Sequence, residues 1–168
     1  YKITNTPLEI LWKAHTKDIQ KFKNLHSFLW LTKVDRKNSK IITKDIIKSW
    51  MNNFFNYTPN AWEMEITAKR IIAWASNTDI TLEDSDKTYK EKFFLSLVKQ
   101  SNFILRNLKN LFYSPAKIIC CAAIILSGII FKENDLNYKT GIKELEKVIK
   151  NLFDENGFPK SRNPESSK

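Results

Sequence analysis

The stretch Ser114-Pro115-Ala116-Lys117-Ile118-Ile119-Cys120-Cys121-Ala122-Ala123-Ile124-Ile125-Leu126-Ser127-Gly128-Ile129-Ile130-Phe131 decides the fold class. Ser114 is a good N-cap, and Pro115 suits a first helical turn, where its missing N–H has no partner to lose. The apolar run from Ile118 to Phe131 is broken by Ser127 and Gly128 and is too short to span a bilayer, which takes about 20 residues. It predicts a helix apolar nearly all round, and therefore central to a core. Cys120 and Cys121 are adjacent within it. Neighbours on a helix point about 100° apart, so the two read as small buried apolar side chains rather than a disulfide.

Five other segments carry helical spacing. From about Lys17 to Val34, Ile19, Phe22, His26 and Leu29 share a face that Trp30 thickens. After the polar break Lys33–Lys40, Ile42, Ile46, Trp50 and Phe54 recur at four-residue steps, and Asn56–Asn60 reads as a turn. From Trp62 to Ser76 there are two usable faces, Met64/Ala68/Ile71/Ala75 and Ile66/Arg70/Trp74, which predicts packing on one side and presentation on the other. Asn77–Asp86 is polar, with Asp84 or Ser85 as the expected cap of a long helix to Phe112. The buried side of that helix is expected at Tyr89, Phe93, Leu97, Ile104, Leu108 and Phe112. A last helix, about Asn137 to Phe153, is expected to bury Tyr138, Ile142, Leu145, Ile149 and Leu152.

With 42% hydrophobic and 27% charged residues, the composition is that of a folded chain. Three glycines are too few for the turns of a β-rich fold, so the expected class is all-α, a single helical domain over residues 1–168 built from antiparallel helical hairpins. The net charge of +10 would suit nucleic acid, but it comes from dispersed lysines and only four arginines, which argues against such a partner. A diffuse positive field favours polyanions in general.

Three stretches carry a resemblance. They are His26-Ser27-Phe28-Leu29-Trp30-Leu31 with Ile47-Lys48-Ser49-Trp50-Met51, then Trp62-Glu63-Met64-Glu65-Ile66-Thr67-Ala68-Lys69-Arg70-Ile71-Ile72-Ala73-Trp74, then Phe153-Asp154-Glu155-Asn156-Gly157-Phe158-Pro159-Lys160-Ser161-Arg162-Asn163-Pro164. Their order and spacing, over about Leu25 to Pro164, are similar to the N-terminal half of bacterial heparinase II/III-family proteins. The resemblance implies a partial (α/α) toroid that binds an acidic, uronate-containing polysaccharide on its concave side. It also implies a β-sandwich domain further along the parent protein, a periplasmic or cell-envelope setting, and cleavage by β-elimination in active members. Such cleavage needs a tyrosine or histidine as base and acid. The chain departs from the pattern where active members carry an Asn-His pair, since Ser114-Pro115-Ala116 stands there. It departs again where Tyr-His commonly follows the Asp-Gly loop. Both departures favour a non-catalytic interaction domain on the same scaffold as the alternative. A piece of a toroid is also expected to expose an apolar edge and to be poorly soluble.

The candidate substrate-binding residues are therefore Arg162 and Lys160 as anion grips, Asn156 in their loop, Trp62 as a stacking surface, and Arg70 beside it. Each has a structural alternative: Lys160 and Arg162 as loop charge or ion pairs to Asp154, Asn156-Gly157 as a turn needing positive φ, both Trp62 and Trp74 as core, and Arg70 paired with Glu63 or a neighbouring helix end. No catalytic residue is assigned. His15 and His26 lack partners at metal-ligand spacing, so neither a metal nor a cofactor is expected, and His26 is expected to pack beside Trp30.

Overall fold

A computed structural model of the chain describes residues 8–13, 17–132 and 135–160. Among these residues the fold is all-helical. Its α-helices are α1 (Leu8–Lys13), α2 (Ile19–Ser27), α3 (Lys40–Phe54), α4 (Met64–Ser76), α5 (Thr78–Thr81), α6 (Lys87–Asn107), α7 (Pro115–Ile130) and α8 (Asp135–Leu152), with 3-10 segments at Leu29–Lys33 and Leu108–Asn110.

Side-chain caps start α7, α2 and α6. Ser114 accepts from the Lys117 N–H at 3.4 Å, Asp18 from Lys21 at 3.1 Å, and Asp86 from Tyr89 at 2.9 Å. The cap of α6 is thus Asp86 rather than Asp84 or Ser85; Asp84 instead adopts φ 58°, a left-handed turn residue. The Asn77–Asp86 stretch is not an open loop. It holds the single-turn α5, which buries Ile80 and Thr81.

The first expected helix is cut at Ser27. Phe28 takes φ 58°, unusual for a bulky side chain, and the chain continues as a 3-10 turn. Burial of the ring offsets the strain. Phe28 is fully enclosed, edge-on to Trp74 at 5.3 Å and to Trp50 at 6.3 Å. Trp50 and Trp74 meet at 5.4 Å, and Phe93 stacks on Trp74 at 5.3 Å, so four aromatic rings from four parts of the chain form the centre of the core. Because the helix breaks, the expected face shifts: Ile19 and Leu29 are exposed, while Phe22, Phe28 and Leu31 are buried.

Both expected faces of α4 turn inward, and only a strip through Glu65, Lys69 and Ser76 reaches solvent. Ala68 and Ile71 on one side and Ile66, Arg70 and Trp74 on the other are all buried, because α2, α6, α7 and the Leu29–Lys33 turn pack around it. α6 buries Tyr89, Phe93, Leu97 and Ile104, but Phe112 lies beyond the helix end and is 88% exposed.

α8 runs antiparallel to α7, with Tyr138 against Gly128 and Gly141 against Cys121 and Ile125. Its buried stripe is Asn137, Gly141, Glu144 and Val148, not the expected one; Tyr138 and Ile149 are exposed. The physical reason is close approach. Gly128 and Gly141 let the helices come together, and polar partners on α7 receive the polar residues of α8. The Asn137 amide donates to Ser127 Oγ at 3.0 Å, and Glu144 meets Lys117 at 3.4 Å. α7 is not enclosed all round, since Ala122 and Ile129 face outward. No helix of the described residues is long and apolar enough to cross a membrane.

Candidate functional site

The Asn56–Asn60 turn and the start of α4 face α2 and α6 across a cleft of about 330 Å³. Its walls are Tyr57, Trp62 and Phe103 with Phe22, and its lip includes Ile19, Asn60 and Glu63. The aromatic wall is ordered by mutual packing: Trp62 to Phe103 is 5.5 Å and nearly perpendicular, Tyr57 to Phe103 is 5.6 Å, and Tyr57 to Trp62 is 6.4 Å. Trp62 is 3% exposed, and its indole N–H donates to the Phe54 carbonyl at 2.9 Å. That bond fixes the ring as the floor of the cleft. Tyr57, at 62% exposure, is the ring open to a ligand. The Tyr57 turn is itself tied down, since the Lys99 ammonium donates to Asn56 Oδ1 at 2.8 Å and lies over the Phe55 ring at 3.9 Å.

One ion pair stands on the lip. Glu63 sits at the N-cap position of α4, yet its side chain makes no cap bond. It reaches Lys23 of α2 instead, at 3.0 and 3.2 Å to its two carboxylate oxygens. Both side chains are more than a third exposed.

Arg70 lies behind this wall, not in it. It is fully buried and has no carboxylate partner among the described residues; Glu63, its expected partner, is taken by Lys23. Its Nε–H donates to Gln100 Oε1 at 2.7 Å, and Nη1 donates to the His26 and Ala61 carbonyls at 2.8 and 3.0 Å. Its guanidinium carbon is 4.0 Å from the centre of the Trp50 ring. The His26 carbonyl belongs to the last turn of α2, where the helix dipole is negative, so the cation is met by dipoles and a π face. Burial pulls the guanidinium pKa well below its usual value. Its high intrinsic value nevertheless keeps it charged. Arg70 therefore clamps α2, the Ala61 turn and α6 together, and it is not available to a substrate.

His26 is the neutral neighbour of that cation. Its Nδ1 accepts from the Trp50 indole at 3.2 Å, its ring stacks on Phe22 at 4.1 Å, and Nε2 has no partner among the described residues. It does not pair with Trp30, whose N–H goes to the Leu25 carbonyl. Burial, and then the charge of Arg70, pushes its pKa down to about 3.

The loop after α8 is a turn with its bonds satisfied internally. Asp154 Oδ1 accepts from the N–H groups of Asn156 and Phe158, both at 2.9 Å, and Gly157 takes φ 81°. Lys160 donates to the Lys150 carbonyl at 2.7 Å, near the C-terminus of α8. Asn156 and Lys160 are exposed but do not line the cleft, and Arg162 lies outside the described residues. Of the four candidates within the described residues, then, only Trp62 borders the cleft. Tyr57 and Lys23 are the residues that sequence reasoning missed. Tyr57 was hidden in a segment that reads only as a turn, and Lys23 was one of many lysines.

Three further polar or titratable features complete the description. The Lys117–Glu144 pair is almost entirely buried. Burial opposes the charged form of Glu144, but hydrogen bonds from Lys147 and Lys117 outweigh it and hold the carboxyl pKa below its usual value. Cys120 and Cys121 are free and buried, and desolvation raises their thiols to about 12 and about 11. Ser114 is used as a helix cap. Among the described residues, no group of three His, Cys, Asp or Glu could hold a metal.

Compared with known protein families, curated proteins and solved structures, the chain matches none.

Proposed function

We infer that this chain is a helical binding module whose Tyr57–Trp62 cleft takes an acidic polysaccharide. The observation that carries the reading is the arrangement of the cleft: an exposed Tyr57 ring on a fixed aromatic floor, with the Lys23 ammonium at the lip. Sugar rings offer an apolar face to an aromatic ring and a polar edge to charged groups, and Tyr57 and Lys23 provide one of each. The sequence resemblance to heparinase II/III-family proteins supplies the ligand class. Under this reading the helical hairpins are part of an (α/α) toroid.

Binding is better supported than cleavage. Of the titratable side chains that line the cleft, Glu63 is engaged by Lys23, so cleavage would rest on Tyr57 alone as both base and acid. The Ser114 cap also favours the non-catalytic alternative, since its hydroxyl is committed to a backbone N–H.

The test is calorimetric titration with heparin, heparan sulfate, alginate and neutral dextran, repeated with Tyr57→Ala. Binding of at least one acidic chain, weakened about tenfold by Tyr57→Ala, is the expected result, a loss typical of an exposed aromatic contact. No binding, or equal binding by Tyr57→Ala, overturns the reading. An absorbance rise from unsaturated uronate would shift it from binding to β-elimination.

A further inference from the structure

We propose that the Lys23–Glu63 ion pair is an exchangeable latch, in which Glu63 holds the place of the ligand's acid group until a carboxylate or sulfate on the sugar takes the Lys23 ammonium from it. The inference rests on the carbohydrate-binding reading and deepens it, because it names the residue that distinguishes acidic from neutral rings.

Three observations converge. Glu63 lines the cleft, so its carboxylate sits where the polar edge of a bound ring would lie. It offers both oxygens to Lys23 at 3.0 and 3.2 Å, the geometry that an incoming carboxylate would reproduce. The pair is open to solvent, with Lys23 at 37% and Glu63 at 42% side-chain exposure, so a ligand can reach the ammonium without the core moving. A partly exposed ion pair has little net worth, and exchanging one carboxylate for another on the same ammonium is close to even. Glu63 is also free to leave: it caps nothing on α4, and Arg70 and Lys69 do not depend on it.

The consequence is a selectivity with a cost. Lys23 gives the acidic sugar its advantage, and Glu63 reduces that advantage by competing for the same cation. Removing Glu63 should raise the preference for acid over neutral ligand, and removing Lys23 should abolish it.

The experiment uses two tetrasaccharides with the same rings, oligogalacturonate and its methyl ester, titrated calorimetrically at fixed salt into the wild type, Glu63→Gln, Lys23→Met and the double variant. Near-ultraviolet circular dichroism confirms that each is folded, and Glu63→Ala repeats the test without an amide. The expected ratio of acidic to neutral affinity rises about fivefold in Glu63→Gln, the scale of one exposed ion pair. It falls to about one in Lys23→Met and in the double variant. If the wild type binds but Glu63→Gln leaves the ratio unchanged or lowers it, or if the gain survives Lys23→Met, the latch is overturned and the binding reading stands. If none of the four proteins binds either sugar, the latch is overturned as a reader of uronate carboxylates, and the binding reading is decided by its own titrations.

Discussion

Lowering the pH from 7 to 5 should weaken this fold through His26. The folded imidazole is held neutral down to about pH 3, whereas in an unfolded chain it titrates near 6.5. Between those values the unfolded chain carries a proton that the folded one refuses. Stability is therefore complete above about pH 6.5 and falls as the pH falls towards 3, by about 1.4 kcal/mol per unit. The loss at pH 5 is about 2 kcal/mol, which for a chain of this length is a melting shift of roughly 4–8 °C. The structural cause is specific. Protonation would set a second cation beside the fully buried Arg70, in a box of Trp12, Phe22 and Phe54, with the pyrrole-type N–H of Trp50 already pointed at Nδ1. Urea unfolding followed at pH 7, 6, 5 and 4.5 measures the slope. His26→Asn, whose amide oxygen can still accept from Trp50, should start less stable and be flat over that window. It also separates His26 from His15. Carboxylates held below their usual pKa, such as Asp18 and Asp79, contribute stability that is present above about pH 4 and lost below it, so they act outside the window. A wild type whose stability does not change between pH 6.5 and 5, or an equal slope in His26→Asn, would refute the reasoning.

Arg70→Met should cost about 3 kcal/mol in urea unfolding, because Gln100 and the His26 and Ala61 carbonyls lose their donor at about 1 kcal/mol each, and relief from burying a charge offsets only the lost Trp50 contact; an unchanged midpoint would show that the clamp is dispensable. Gly128→Ala should lower the melting temperature despite alanine's better helix propensity, since its Cβ would sit 2.6 Å from the Tyr138 backbone nitrogen. The expected cost is about 2 kcal/mol, and a neutral result would mean that α7 and α8 are further apart than described.

The helical class was legible from scarce glycine and from spacing, and so were α3, α6 and α7 with their apolar stripes. What was not legible depended on partners far away in sequence. Phe28 breaks a helix that periodicity alone would continue, and it does so because four tryptophans receive its ring. Hydrophobicity does not mark the buried face of α8, because Gly141 and Glu144 go inward to fit Ile125 and Lys117. At the site the difficulty is similar. Arg70 and Trp62 lie in one conspicuous segment, but one is a clamp and the other a floor. The pair proposed to face the ligand, Tyr57 and Lys23, comes from a turn and from a helix whose lysines all look alike.

The buried Lys117–Glu144 contact bears on how the α7–α8 hairpin finds its alignment. The other marks of alignment on α7, Ser127 and Gly128, lie near its far end, and along the rest of the helix a slide of one turn, about 5.4 Å, would exchange one apolar surface for another. Lys117 is the one charged side chain on that helix. A slipped pairing leaves its ammonium with only the Leu111 and Lys109 carbonyls and the Tyr113 ring, and the native alignment adds the acid. The pair acts as a proofreading mark written into two otherwise slippery helices, rejecting misaligned partners more than it strengthens the correct one.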